Sequence, residues 1–280
     1  MSTVGLLITV ALWAAGFVLR RRLGRCASSA SSEGELTISI IIPARNEERN
    51  LPKLLRSLSV QSVKPCEIIV VDDGSTDRTP EIARQLGATV VRSEPLPEGW
   101  RGKTWACHQG ARASKGEWLL FLDADTWFES GGLDQVLSAW RAKFVICSLR
   151  RGASPAVPKA AQQQEGGGSL RGALSVGPFH AVQKLHEQLS LFFNFNMTVG
   201  TVPDGLFGQM LLVDRESYRR VGGHEAVKGR TLENFFLAER FRAAGIPTHS
   251  ATGRGAFSFR MYPNGLGEVV EGWTKGFASG

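Results

Sequence analysis

Two short, almost unbroken aliphatic runs, 36–43 (LTISIIIP) and 67–72 (EIIVVD), set the frame of this chain. Runs of that length and continuity mark strands buried on both faces of a parallel sheet. After each run the apolar spacing turns helical, with Leu51, Leu54, Leu55 and Leu58 in 47–60 and Ile82, Ala83 and Leu86 in 79–86. Further strands are predicted over 88–92 and 117–122. Alternating strands and helices wound by right-handed crossovers give an α/β fold with an open, mostly parallel sheet flanked by helices. Ligands of such sheets bind beyond the carboxyl ends of the strands. Residues 154–169 (SPAVPKAAQQQEGGGS) carry no periodicity and read as a flexible loop. Beyond it the pattern predicts strands over 173–178 and 209–213 and helices over 182–195 and 231–244, the last stopped by Gly245 and Pro247.

The N-terminus has its own pattern. No charged residue precedes Arg20, and 4–19 is apolar almost throughout before Arg20, Arg21 and Arg22 close it. This reads as an N-terminal transmembrane helix, short but long enough if the arginine stems reach outward. A cleaved signal peptide would carry its positive charges before the apolar run, not after it. The positive-inside rule then puts the rest of the chain on the cytoplasmic face of the cell membrane. The layout is an anchor with its basic collar over 1–24, a polar linker over 28–35, a first half over 36–153, the loop, and a second half over 170–280.

Composition changes this picture little. At 42% hydrophobic and 21% charged residues the 280-residue chain is a folding one. The net charge of +7 invites a nucleic-acid reading, but Arg20, Arg21, Arg22 and Arg25 supply four of the seven. The remaining +3 is scattered, so no basic stripe exists to grip a phosphate backbone, and nucleic acid is excluded as a partner. Cys26, Cys66, Cys107 and Cys147 are widely spaced without metal-ligand neighbours, which predicts free, structural thiols in a reducing compartment.

The chemistry gathers at strand ends. The first predicted strand runs into Pro43, Arg45, Asn46 and Glu47, and the second into Asp72, Asp73, Gly74, Ser75, Thr76 and Asp77. Carboxylates there can accept hydrogen bonds from a base or ribose, while Asp77 suits the start of the next helix with Thr79 and Pro80. The run WLLFL ends in Asp123-Ala124-Asp125, two carboxylates able to hold a divalent cation through hard oxygen ligands, or else a solvated turn. Such a cation would neutralise a departing diphosphate.

Together PARNE, DDGSTD and DAD, each after a strand, resemble the family 2 inverting nucleotide-sugar glycosyltransferases of the GT-A fold. The resemblance covers roughly 36–262. Longer motifs, GWRGKTWA at 99–106, SVGPFH at 175–180, FRMY at 259–262 and EGWTK at 271–275, resemble the membrane-bound branch that acts in carotenoid biosynthesis. The resemblance implies a UDP-sugar donor, UDP-glucose foremost, a Mg or Mn ion and a hexosyltransferase activity. It puts Pro43, Arg45, Glu47, Asp72 and Asp73 in the nucleotide pocket, Asp123 at ribose and metal, Asp125 on the metal, and Lys103 at the diphosphate or at an ordinary helix start. The lipophilic acceptor would pass His180 and Trp273, unless these are simply packed.

One departure from the family pattern is informative. Where family 2 enzymes carry Glu-Asp, the Asp being the general base, this chain has Glu233-Asn234, and an amide takes no proton at neutral pH. Either Glu233 acts, or no base is needed. A carboxylic acid acceptor, with a pKa near ~4.3, is already ionised and needs none. The expectation is a carotenoid carboxylate of the diaponeurosporenoate type and a glycosyl ester product. The alternatives are transfer to another lipid such as polyprenyl phosphate, or a catalytically silent UDP-binding module. Leu189, Leu191, Phe192, Phe193, Phe195 and Met197, with Phe207 and Met210, form an apolar set that suits a lipid or a buried helix. The family continues into further hydrophobic segments after the last motif, so a truncated acceptor half is also expected.

Overall fold

The parity of side chains along the strands decides the architecture. In β1 (Ile38–Ala44) Ile38, Ile40 and Ile42 face one way and Ile41 the other, all fully buried, so both faces of the sheet must be covered. The computed structural model describes residues 37–151, 172–190, 201, 205–263, 265–270 and 274, with side chains excepted over 145–151. Over these residues β1 is joined by β2 (Glu67–Asp72), β3 (Thr89–Arg92), β4 (Trp118–Leu122), β6 (Ala173–Gly177), β8 (Met210–Asp214) and β9 (Thr248–Thr252) in a seven-stranded sheet of order β3-β2-β1-β4-β8-β6-β9. β8 runs antiparallel to β4 and β6, and the other pairs are parallel. The mostly parallel α/β sheet expected from the pattern is therefore present.

One face packs against α1 (Leu51–Ser59) and α4 (Gly132–Arg151), where Leu54, Leu58, Trp140 and Phe144 meet Ile40, Leu120 and Leu212. The other face takes α3 (Gly102–Ala113) and α6 (Glu233–Ala243), where Cys107, Leu237 and Phe241 meet Ile41, Leu119 and Val213. The short helices α2 (Thr79–Gln85) and α5 (Arg215–Arg220) complete the layers. A second, three-stranded sheet, order β5-β10-β7, joins β5 (Thr126–Phe128), β10 (Phe257–Phe259) and β7 (Phe179–His180).

Several expectations need correction. Of the helix expected over 182–195, the described part holds a 3-10 turn over Leu185–Leu189 followed by a helical Ser190, and 191–195 lie outside the described residues. Phe207 and Met210 are core residues rather than a lipid-facing surface, being 8% and 0% exposed. β5, β7, β9, β10 and helices α4 and α5 had no counterpart in the predicted elements. The apolar segment 4–19, loop 154–169 and the Phe192–Met197 stretch lie outside the described residues. Among the described residues no helix is long and apolar enough to cross a membrane. Cys66 is exposed and Cys107 buried, both as free thiols.

Candidate active site

Three strand ends and one helix start converge on a cleft of about 360 Å³. The loop after β1 is shaped by Asn46, whose backbone takes the left-handed conformation (φ 57°), one that asparagine tolerates better than most residues. Asn46 Oδ1 accepts the N–H of Thr76 at 2.8 Å, and Ser75 Oγ accepts the N–H of Asn46 at 3.0 Å. The Glu47 and Glu48 amides donate to Thr79 Oγ1 and Asp77 Oδ2. The loops after β1 and β2 are thus stitched into one rim. Asp77 also accepts from the Thr79 amide and hydroxyl, so the helix-start role expected of it is present alongside the cross-link.

Pro43, Arg45, Glu47 and Asp73 all line the cleft. Arg45 and Asp73 approach to 3.9 Å, a loose pair with an arginine side chain 68% exposed, worth little to stability. Asp72 does not line it. Its carboxylate is buried and accepts the Ser75 N–H at 3.1 Å, closing the turn at Gly74, whose φ of 73° suits glycine. Asp72 is corrected from a ligand contact to a turn-forming residue.

The Asp123-Ala124-Asp125 turn joins the two sheets. Asp123 N–H donates to Gln209 O, and Thr126 Oγ1 donates to Asp123 O at 2.7 Å, which turns the chain from β4 into β5 and leaves both carboxylates in the cleft. Opposite them, α3 begins with Gly102 and Lys103. Its start is fastened to the 3-10 turn Gly223–Val227 and the residues after it, since Arg101 N–H and Thr104 Oγ1 donate to Lys228 O. This places Lys103 Nζ 2.8 Å from Asp123 Oδ1 and 2.9 Å from Glu233 Oε1, and it also donates to Gly208 O at 3.2 Å.

The charges in the cleft are unbalanced. Enclosure works against the Lys103 ammonium, but Asp123 and Glu233 overcome it and hold its pKa well above the usual lysine value. Burial, then the Asp123 and Glu47 charges, push Asp125 up to about 7 against the pull of Lys103. Burial raises Glu47 as well, with Asp123 and Asp77 adding to it. Four carboxylates, Asp123, Glu233, Asp125 and Glu47, with one ammonium is an arrangement that gains from a further positive charge, so the donor set of Asp123 and Asp125 fits a divalent cation. Among the described residues no group of three or more His, Cys, Asp or Glu side chains could hold a metal, so a cation here needs ligand oxygens from elsewhere.

The other expected residues separate. Glu233, at the start of α6, has a side chain only 5% exposed and is brought to Lys103. Asn234 is turned away and donates to Phe207 O at 2.8 Å, so it is corrected from a catalytic to a packing residue. His180 lies in the small sheet, where Phe259 pairs with both His180 and Thr126, putting it two strand spacings, about 10 Å, from the residue after Asp125. Its Nε2 accepts the Met261 N–H at 3.3 Å, which requires a neutral ring, and its buried Nδ1 has no hydrogen-bond partner. Trp273 lies outside the described residues. The residues that the sequence reading passed over are the small ones. Gly102 and Ala106 form part of the cleft wall, and a Cβ on Gly102 would come 2.5 Å from Asp73 Oδ2.

A sheet of this order with acidic groups at its strand ends and a DAD turn leading into a second small sheet defines a GT-A-like nucleotide-sugar transferase fold. Residues 39–222 match the family model for glycosyl transferase family 2. The chain belongs to that family and is a glycosyltransferase. It is 35% identical over 280 residues to a 4,4'-diaponeurosporenoate glycosyltransferase of Staphylococcus haemolyticus, covering 95% of this chain and 68% of that one. To the enzyme of the same name from Staphylococcus aureus it is 32% identical over 291 residues, covering 100% and 71%. Among solved structures it resembles a mannosyltransferase from Pyrobaculum calidifontis in complex with GDP-Man and Mn2+ (18% identity, TM-score 0.59, covering 98% of this chain and 75% of that one). It also resembles glucosyl-3-phosphoglycerate synthase from Mycobacterium tuberculosis with Mn2+, UDP-glucose and phosphoglyceric acid (18%, TM-score 0.51, 86% and 80%). At these identities the two structures speak for the fold alone.

Proposed function

We propose that this chain transfers a sugar, glucose from UDP-glucose foremost, to the carboxylate of a carotenoid acid of the diaponeurosporenoate type, with inversion at the anomeric carbon. The observation that carries the acceptor class is the state of the base position. Asn234 is committed to Phe207 O, and Glu233, the one carboxylate left there, is ion-paired to Lys103 at 2.9 Å. A neutral hydroxyl would need a base worth roughly 10²–10⁴ in rate, whereas a carboxylate acceptor arrives ionised. The names of the relatives matched over the whole chain support the same acceptor.

On this reading the uridine lies along Pro43, Arg45, Glu47 and Asp73, and the diphosphate at the start of α3, where the positive end of the helix and Lys103 would meet it. Asp123 and Asp125 would hold a Mg or Mn ion, which supplies charge neutralisation for the departing diphosphate. The carboxylate oxygen of the acceptor attacks the anomeric carbon, the bond to the diphosphate oxygen breaks, and UDP leaves. Segment 4–19 would anchor the chain in the cell membrane with its catalytic half on the cytoplasmic face, where a lipophilic acceptor is delivered in the bilayer. The full chain in detergent, incubated with UDP-glucose, Mn2+ and diaponeurosporenoate, should give a glucosyl ester seen by mass spectrometry and cleaved by mild alkali. An alkali-stable product, or turnover only with a polyprenyl phosphate, would refute the carboxylate acceptor. Glu233→Gln should lose less than about a hundredfold in turnover if no base is needed.

A further inference from the structure

We propose that Lys103 is the resident counter-ion of the cleft, held on Asp123 so that a divalent cation enters only together with a nucleotide diphosphate. This rests on the nucleotide-sugar reading above and adds an order of binding to it. Lys103 Nζ contacts Asp123 Oδ1 at 2.8 Å, Glu233 Oε1 at 2.9 Å and Gly208 O at 3.2 Å. An ammonium has three N–H donors, and these contacts use them all. The ammonium therefore sits in a complete cradle on one side of the carboxylate that a cation must also use.

Two features keep it there. Glu233 is nearly buried and starts a helix, so its charge is fixed in place, and Gly208 O belongs to the turn leading into β8. A free cation would meet Asp125 and a partly neutralised Asp123, with no third protein carboxylate, histidine or thiolate grouped to complete its shell among the described residues. Mg and Mn want about six oxygen ligands in near-octahedral order. A diphosphate alters both sides of this balance. It brings oxygens for the cation, and its own charge draws the ammonium off Asp123 toward the start of α3, from which Lys103 projects. Glu233 then acts as a tether that positions Lys103 before the nucleotide binds, a role distinct from that of a base.

The test measures Mn2+ binding to the full chain in detergent, by the electron paramagnetic resonance of free Mn2+, with and without UDP. Wild type, Lys103→Met and Lys103→Gln are compared. Wild type should bind Mn2+ at least about tenfold more tightly with UDP than without. Both variants should bind Mn2+ alone at least about tenfold more tightly than wild type does, while their affinity for UDP with Mn2+ falls by a similar factor. Should Lys103→Met fail to fold, Lys103→Gln still offers amide donors to Asp123 and Gly208 O without the charge. Variants that bind Mn2+ alone no better than wild type, in a protein that still binds UDP with Mn2+, overturn the counter-ion role and leave the nucleotide-sugar reading intact. A wild-type protein that binds no UDP under any of these conditions overturns both.

Discussion

The cleft and the small sheet each bury a charged cluster, and the two are built in opposite ways. Behind the small sheet, Glu187 is fully buried and both its oxygens are occupied. Oε1 accepts from Arg260 Nε and Nη2 at 3.0 and 2.6 Å, and Oε2 from the Gln183 and Lys184 amides at 2.6 and 3.3 Å. Burial would raise its pKa, but the Arg260 fork and the two amides bring it down to about 2. In the cleft, Glu47 and Asp125 stand beside Asp123 and Glu233, the two carboxylates that hold the Lys103 ammonium, and Asp125 rises to about 7. One cluster uses its charges to fix a loop, whereas the other holds unneutralised charge that a ligand can relieve. Strongly perturbed carboxyls collected in a cleft mark a site for that reason.

Substitution should separate the two clusters sharply. Asp125→Asn is expected to lower glycosyl transfer by about 10²–10³-fold, the scale of losing a metal-held electrostatic contact, while raising the melting temperature slightly at pH 8 because a repelled charge is gone. Turnover and circular-dichroism melts read both at once, and a destabilised Asp125→Asn would contradict the contrast. Glu187→Gln should do the reverse, costing about 2 kcal/mol of unfolding free energy in urea, the scale of hydrogen bonds to a charged group, with UDP affinity retained.

Their pH dependences should also oppose each other. Glu187 falls from 4.5 unfolded to about 2 folded, so its contribution is complete above pH 4.5 and is lost as pH drops toward 2. Asp125 rises from 3.8 to about 7, so the folded chain holds the proton better and stability declines as pH climbs through that window. Melting curves from pH 4 to 8 on wild type and Asp125→Asn test this, because the variant should lack that part of the decline.

Two smaller effects probe the rim of the cleft. Gly102→Ala puts a Cβ against Asp73 Oδ2 and should raise the KM for the nucleotide sugar about five- to tenfold, with kcat little changed if Asp73 serves binding alone. Asn46→Ala removes the bond to Thr76 and places alanine at φ 57°, costing about 1 kcal/mol in urea unfolding. An unchanged KM in the first variant would place Asp73 outside the donor contacts.

The parallel strands at the start of the large sheet were the legible part. Strands β1, β2 and β4 are buried on both faces, so burial alone writes them as aliphatic runs, and the residues that follow them were readable as cleft residues. Asp72 was misplaced because adjacent aspartates look alike in sequence, while the turn commits one of them to Ser75. The small sheet was harder to read. β5 and β10 have three residues each and β7 two, too short for alternation to show, and their pairing joins distant parts of the chain, Phe257 with Phe128 and Ser258 with Phe179. The 231–244 helix was read correctly apart from two residues at its start and one at its end, yet the direction in which Asn234 points depends on Phe207, which belongs to another segment.

By itself the sequence determined the sheet-forming runs, the acidic residues at their ends and the family they belong to, because these depend on local burial and on residue type. Only the tertiary structure decided which charges meet. Lys103, Asp123 and Glu233 stand on a helix start, a strand end and a second helix start that lie 20 and 110 residues apart along the chain, and Coulomb interactions depend on distance in space. That meeting turns a lysine in a GWRGK motif into the counter-ion of the cleft.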